Sequence, residues 1–169
     1  MEKMKYILVL ALAVTTVFSC KEEHKATKVE DGQIEKQEGK ETVKQLKEKL
    51  TSKGFELFDY IDEKTQDTII MQKYFIAFLK KGPNRSQPEE EANKLQAEHM
   101  AHLGKMYELG YADISGPFDD ESDISGITIY NVPTLQMADS LANSDPMVKA
   151  GRLVIEMHPW WAAKGFPLR

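Results

Sequence analysis

Two histidines stand three residues apart in the stretch AEHMAHLGKMYELG, at positions 99 and 102. Imidazole titrates near neutral pH, so a histidine can serve as a general acid or base or as a metal ligand. At helical periodicity one apolar stripe carries Leu95, His99, His102, Met106 and Leu109, with charged residues on the opposite side. This placement leaves two interpretations open: buried core residues that need only a hydrogen-bond partner, or an acid–base group in a partly wet pocket.

A metal site is a third interpretation of the same pair. Their spacing would let both imidazoles approach one ion, and His158 near the C-terminus would supply a third ligand. However, the stretch HMAH lacks the glutamate of the HExxH zinc pattern, and Cys20 is the single cysteine in the chain. We therefore predict no metal site and no cofactor.

A candidate partner carboxylate is Asp145, which precedes Pro146 in the stretch SDPMVKAG. An aspartate followed by proline, with Gly151 closing the segment, is typical of a short helical turn with an N-cap and a proline at the first helical position. Such a cap occupies one carboxylate oxygen and leaves the other free to orient an imidazole. The local pattern is compatible with the cap alone or with both roles.

Apolar periodicity predicts the elements that must position these residues. We expect helices over 41–54, 89–109 and 134–144, and strands over 55–62, 68–82, 111–116, 123–132 and 152–161. From Tyr74 onward the order is β-α-β-β-α-β. This order predicts an α+β, ferredoxin-like antiparallel sheet with both helices on one face, preceded by a helix–hairpin extension. An apolar second face would need cover from the N-terminal segment or from a second subunit.

The first twenty residues, MEKMKYILVLALAVTTVFSC, have the basic start and short apolar run of a secretory signal. The residues VFSC resemble a lipobox, which predicts lipidation at Cys20, and the following KEE resembles the export signal of surface lipoproteins in Bacteroidetes. Residues 21–40 carry mixed charge and few large apolar side chains, which predicts a flexible tether. We therefore expect a lipid-anchored domain in the cell envelope, on the periplasmic face or the outer-membrane surface.

Charge and cysteine content narrow the range of partners. The formal net charge is −5, and no basic patch interleaved with aromatic residues is present. Nucleic acid is therefore not an expected partner. A single cysteine has no partner for an intramolecular disulfide.

The stretches HMAHLGKMYELGYADISGP and ADSLANSDPMVKAGRLVIEMHPW together resemble the YCII-related (YciI-like) domain family, over roughly Tyr74 to Trp160. The positions that match the family pattern are His99, Gly110, Gly116, Pro117, Asp145, Pro146, Val148, Ala150 and Gly151. The resemblance implies a fold of the dimeric α+β barrel superfamily, a homodimer joined through its sheets, and a site formed by His99 and Asp145. It gives His102 no such role, so we assign that residue to the core. It also divides the chain into an extension, 41–73, and the family domain, 74–169.

Two functions follow as hypotheses. The first is a cofactor-free enzyme acting on a small cyclic or aromatic substrate, with His99 as acid and base and Asp145 as its orienting group. Arg85, in the loop GPNRS, would bind an anionic group of the substrate or would simply be a solvated loop residue. The second is a noncatalytic module that binds a small ligand or dimerises on its lipid tether. Trp160 and Trp161 would suit a ligand pocket, or equally a C-terminal strand plug in the dimer interface. A His99 that lines an open cavity, with Asp145 within hydrogen-bond reach, would favour the enzyme.

Overall fold

A computed structural model describes residues 41–168. The predicted signal peptide, Cys20 and the predicted tether lie outside the described residues. Within the described part, none of the helices has the length and apolar character needed to cross a membrane.

The described chain contains helices and strands in the predicted order. They are α1 (Val43–Ser52), β1 (Leu57–Ile61), β2 (Thr68–Lys81), α2 (Glu89–Glu108), β3 (Ala112–Pro117), β4 (Ile124–Tyr130), α3 (Leu135–Asn143), α4 (Pro146–Lys149) and β5 (Leu153–Ala163). Helix α4 is the helical turn expected after Asp145. The prediction of an α+β fold is confirmed.

All five strands form one antiparallel sheet in which β2 is central. Strand β5 pairs with β2 along Met71 to Lys81, and β4 pairs with β2 along Phe75 to Lys80. Strand β1 pairs with residues 68–72 of β2, so β1 and β4 lie end to end along the same edge. With β3 outside β4, the strands from β2 onward have the ferredoxin-like order.

One face of the sheet forms the main core. Successive strand side chains point to opposite faces, so Phe75, Ala77 and Leu79 of β2 share one face. These three residues pack in one buried cluster with Met106 of α2 and Ala138 of α3. The two long helices of the ferredoxin-like unit therefore lie on this face, as the sequence predicted.

Helix α2 follows the predicted apolar stripe with one exception. His99 and Met106 are its buried residues, and Leu95 packs against the core. Leu109, which the periodicity placed toward the sheet, is 52% exposed because it is the C-cap residue, beyond the last helical turn. That part of the prediction is wrong.

The second face of the sheet is covered at one end by α1. Lys47 of α1 forms an ion pair with Asp59, which stands opposite Ile70 across the β1–β2 pair. Ile70 and its neighbour on the same face, Gln72, are buried. Beyond them the face carries partly exposed apolar residues that no described helix covers, which we call the open face: Ile76, Phe78 and Val154.

Candidate active site

The structure brings His99 and Asp145 together inside the protein. Nδ1 of His99 lies 2.7 Å from Oδ2 of Asp145, and the two residues are only 8% and 3% exposed. The other carboxylate oxygen, Oδ1, accepts a hydrogen bond of 2.8 Å from the backbone amide of Met147 and so caps α4. Both roles that the sequence left open for Asp145 are therefore present in the geometry.

The pairing selects one tautomer of the imidazole. A carboxylate only accepts hydrogen bonds, so Nδ1–H of His99 donates to Asp145, and the neutral ring keeps its lone pair on Nε2. Within the described residues Nε2 makes no hydrogen bond, and His99 lines a cavity. Nε2 is therefore the ring nitrogen that is free to accept and return a proton.

The cavity beside His99 has a volume of about 360 Å³ and lies between α2, the β3–β4 hairpin and the start of β5. This volume is at the lower end of the range for small-molecule pockets, roughly 300–1,000 Å³. Its apolar walls include Leu79, Met100, Leu103, Met147 and Leu153. Walls of this kind suit a small ring rather than an extended, highly charged molecule.

Three polar residues in the cavity wall were not predicted from the sequence: Gln96, Ser115 and Ser125. The hydroxyl of Ser115 lies 3.0 Å from that of Thr128, which is fully buried behind it. The adjoining Gly116-Pro117 of the family pattern marks this strand end. Nothing in the periodicity distinguishes these polar residues from solvated ones.

Arg85 lines the same cavity from the loop between β2 and α2. Its Nη1 donates a hydrogen bond of 3.2 Å to the backbone carbonyl of Arg152, and the residue is exposed. One nitrogen of the guanidinium is therefore held by a hydrogen bond, and its other N–H groups make none with described residues. Its predicted role as an anion-binding group stays a prediction.

His102 lies three residues further along α2 and is half-buried. Its Nε2 is enclosed and has no hydrogen-bond partner among the described residues, and the residue is not part of the cavity wall. Burial lowers the pKa of His102, and the negative charge of Asp145 opposes that effect in part. This position is that of a residue at the edge of the core.

His158 does not join the site. It stands opposite Ile76 in the β2–β5 pair, on the face away from α2, and its Nε2 lies 2.8 Å from Oε1 of Glu156. The interpretation in which His158 completes a metal site with His99 and His102 is therefore wrong, because the sheet separates them. Among residues 41–168 no three His, Cys, Asp or Glu side chains are close enough together to hold a metal ion.

The two tryptophans also lie on opposite faces of β5. Trp160 stands opposite Tyr74 and shares its face, with the two ring centroids 6.3 Å apart. Trp161 stands opposite Lys73 and contacts Phe58 of β1 edge-on, at 4.9 Å between centroids. Neither lines the cavity beside His99.

Together the sheet, its two helices and the buried pair define a ferredoxin-like α+β domain that holds a histidine–carboxylate pair beside a small cavity. The chain belongs to the YCII-related domain family, whose profile matches residues 74–160. The family resemblance found in the sequence is therefore confirmed, and His99 and Asp145 both lie in the matched segment.

Comparison with solved structures finds a similar chain in 5-chloro-2-hydroxyhydroquinone dehydrochlorinase (TftG) from Burkholderia phenoliruptrix AC1100, in complex with 2,5-dihydroxybenzoquinone. The two share 20% sequence identity with a TM-score of 0.40, over 52% of this chain and 92% of the other. No curated protein sequence matches this chain.

Proposed function

We propose that this protein is an enzyme that moves a proton on a small cyclic or aromatic molecule without a cofactor. The observation that carries the proposal is the 2.7 Å contact between Nδ1 of His99 and Oδ2 of Asp145, beside a cavity that His99 itself lines. A buried histidine with no function needs one satisfied nitrogen and no cavity. A general base needs a fixed tautomer and a reachable second nitrogen.

The reaction that this arrangement supports is a proton shift within the substrate. Nε2 of His99 takes a proton from an acidic C–H or O–H group, and the electron pair left behind moves into the adjoining ring or carbonyl. The imidazolium that forms is stabilised by the charge of Asp145. His99 then returns the proton to a second atom of the same molecule, so that no electrons are gained or lost.

The position of Arg85 in the cavity wall favours a negatively charged substrate, such as a ring that bears a carboxylate or phenolate. A guanidinium is always charged and can bind such a group through two parallel N–H bonds. Benzoate is a suitable probe because it is a single ring with one carboxylate. We expect its Kd to rise roughly 10-fold in Arg85→Gln, as befits one charged hydrogen-bonding partner. Lys149→Gln, which removes an exposed cation from α4 outside the cavity wall, should leave the Kd unchanged.

The proposal is tested directly by the ring ¹⁵N chemical shifts of His99. We expect the neutral ring of the wild-type protein to carry its proton on Nδ1, and Asp145→Asn to abolish that preference. His102→Gln is the matched control, because it changes the neighbouring histidine of the same helix and should leave the His99 signals in place. A His99 ring with its proton on Nε2 would end the general-base proposal.

We also propose that two copies of the chain pair through the open face. The support is chemical: the open face carries the apolar residues Ile76, Phe78 and Val154, and Val154 is 41% exposed. Apolar patches of this kind are typical of subunit interfaces. The noncatalytic alternative, a tethered dimerisation module, shares this surface and differs in having no use for the His99 cavity.

Anchoring by lipid at Cys20, which would place the domain in the cell envelope, remains a proposal from the sequence alone. Its test is detergent-phase partition of the full chain made in a bacterial host, with Cys20→Ser as control. The wild-type chain should enter the detergent phase and the variant the aqueous phase. Aqueous partition of both would show that the apolar segment serves another purpose.

A further inference from the structure

A second cavity lies on the opposite side of the sheet from His99, between the strands and residues 164–168. Its volume is about 540 Å³, and its apolar walls include Tyr74, Ile129, Trp160 and Phe166. It shares no lining residue with the cavity beside His99. The proton-transfer proposal therefore gives it no role.

Two oppositely charged side chains line this cavity without forming an ion pair with each other: Asp113 and Lys164. The ammonium group of Lys164 lies 5.4 Å from the ring centroid of Tyr74, and no described carboxylate pairs with it. Burial lowers the pKa of Lys164, with the charge of Asp113 opposing that effect in part. A half-buried ammonium group that packs on an aromatic ring and makes no ion pair can bind an anionic group.

The hydroxyl of Tyr74 adds a second donor to the cavity. Tyr74 is 6% exposed and its hydroxyl makes no hydrogen bond with any described residue. Burial, followed by the charge of Asp113, raises the pKa of Tyr74 to about 12. The group therefore stays protonated at neutral pH and can donate to an anion.

Two amide side chains, those of Asn131 and Gln72, fix the position of Asp113 through hydrogen bonds. Asn131 donates a hydrogen bond of 3.1 Å to Oδ1 of Asp113, and Gln72 donates one of 2.6 Å to Asn131. Gln72 is fully buried, and its Oε1 has no partner among the described residues. The second oxygen of Asp113, Oδ2, makes no hydrogen bond with described residues. A carboxylate fixed in this way is preorganised to receive a cationic donor.

We propose that this cavity binds a free α-amino acid with an aromatic side chain. Its carboxylate lies against Lys164 and the Tyr74 hydroxyl, its ammonium group against Oδ2 of Asp113, and its ring between Trp160 and Ile129. A zwitterion matches the two opposite charges at once, whereas a simple acid or amine leaves one of them without a partner.

The test is calorimetric titration of the full chain with three probes that differ by one group: L-phenylalanine, 3-phenylpropanoate and 2-phenylethylamine. We expect L-phenylalanine to bind at least about 10-fold more tightly than either of the others, because each lacks one charged hydrogen bond. Lys164→Met and Asp113→Asn should each weaken L-phenylalanine binding to a similar degree. His99→Asn should leave it unchanged, which separates this site from the proposed active site.

Two results would overturn the proposal. One is equal binding of L-phenylalanine and 3-phenylpropanoate, or no binding of any probe, since the paired charges would then select nothing. The other is binding that appears only when the open face is freed by Val154→Glu. In that case a second copy fills the cavity, and the site does not exist in the assembled protein.

Discussion

The imidazole of His99 and the carboxylate of Asp145 lie 2.7 Å apart although 46 residues separate them in the chain. The β3–β4 hairpin and α3 occupy the intervening sequence, and the fold returns α4 to the side of α2. Since burial of a charged or polar side chain is costly without a partner, each of the two groups stabilises the other in place. Any change at Asp145 therefore reports on the cap of α4 and on the orientation of His99.

Two substitutions at Asp145 separate these roles. Asparagine remains a good N-cap, so Asp145→Asn should keep the bond to the Met147 amide while losing the carboxylate that holds His99. Asp145→Ala loses both and should be less stable than Asp145→Asn by about 1 kcal/mol, the usual value of an N-cap. Urea unfolding of the two variants measures the difference. Equal stabilities would mean that the capping bond contributes nothing.

The order of elements was predictable because apolar periodicity is a local property. The β-α-β-β-α-β sequence and the helical turn after Asp145 both follow from residues close together in the chain. The expectation for Leu109 failed because a stripe does not show where the last helical turn ends.

Contacts across the sheet were not predictable in the same way. Which face His158 occupies depends on the register of β5 against β2, and a shift of one residue would reverse it. The polar cavity wall of Gln96, Ser115 and Ser125 likewise depends on how α2 lies over the β3–β4 hairpin. The pairing of His99 with Asp145 was reachable before the structure only through the family pattern.

The β3–β4 hairpin at the cavity requires glycine at one position and not at another. A Cβ at Gly126 would lie 2.5 Å from the carbonyl oxygen of Gly116, whereas a Cβ at Gly116 would meet nothing within 4 Å. We expect Gly126→Ala to cost roughly 1–3 kcal/mol, because backbone must move to relieve the overlap. Gly116→Ala, in the same cavity wall, should change the free energy of unfolding by less than about 0.5 kcal/mol. Thermal unfolding of both variants gives the comparison, and equal losses would contradict the steric account.

The proposed pairing through the open face predicts how the oligomeric state responds to charge. Val154 is 41% exposed in the single chain, so Val154→Glu should leave the fold intact while placing a carboxylate in the interface. Sedimentation should show dimers of the wild-type protein and monomers of this variant at the same concentration. Tyr107→Glu changes an exposed aromatic residue on α2, 69% exposed, and should leave the dimer in place. A monomeric wild-type protein, or dissociation by both variants, would exclude the open face as the interface.

The stability of the domain should decrease in mild acid because of His102. Its pKa is lowered from the ordinary 6.5 chiefly by burial, with Asp145 and the backbone of Leu141 opposing the shift and with His99 and Lys149 adding to it. A base with a lowered pKa binds its proton more readily in the unfolded chain. The full stability is therefore present above about pH 6.5 and is lost as the pH falls toward the lower folded value.

His102→Gln removes this titration and leaves the other ionisable groups in place. We expect the wild-type protein to lose more of its free energy of unfolding between pH 7.5 and pH 5.0 than the variant does. Urea unfolding at the two pH values measures both losses. If both proteins lost the same amount of their free energy of unfolding, the enclosed Nε2 of His102 would be protonated as easily in the folded chain as in the unfolded one. In that case its ring must be open to water, and the assignment of His102 to the edge of the core would be wrong.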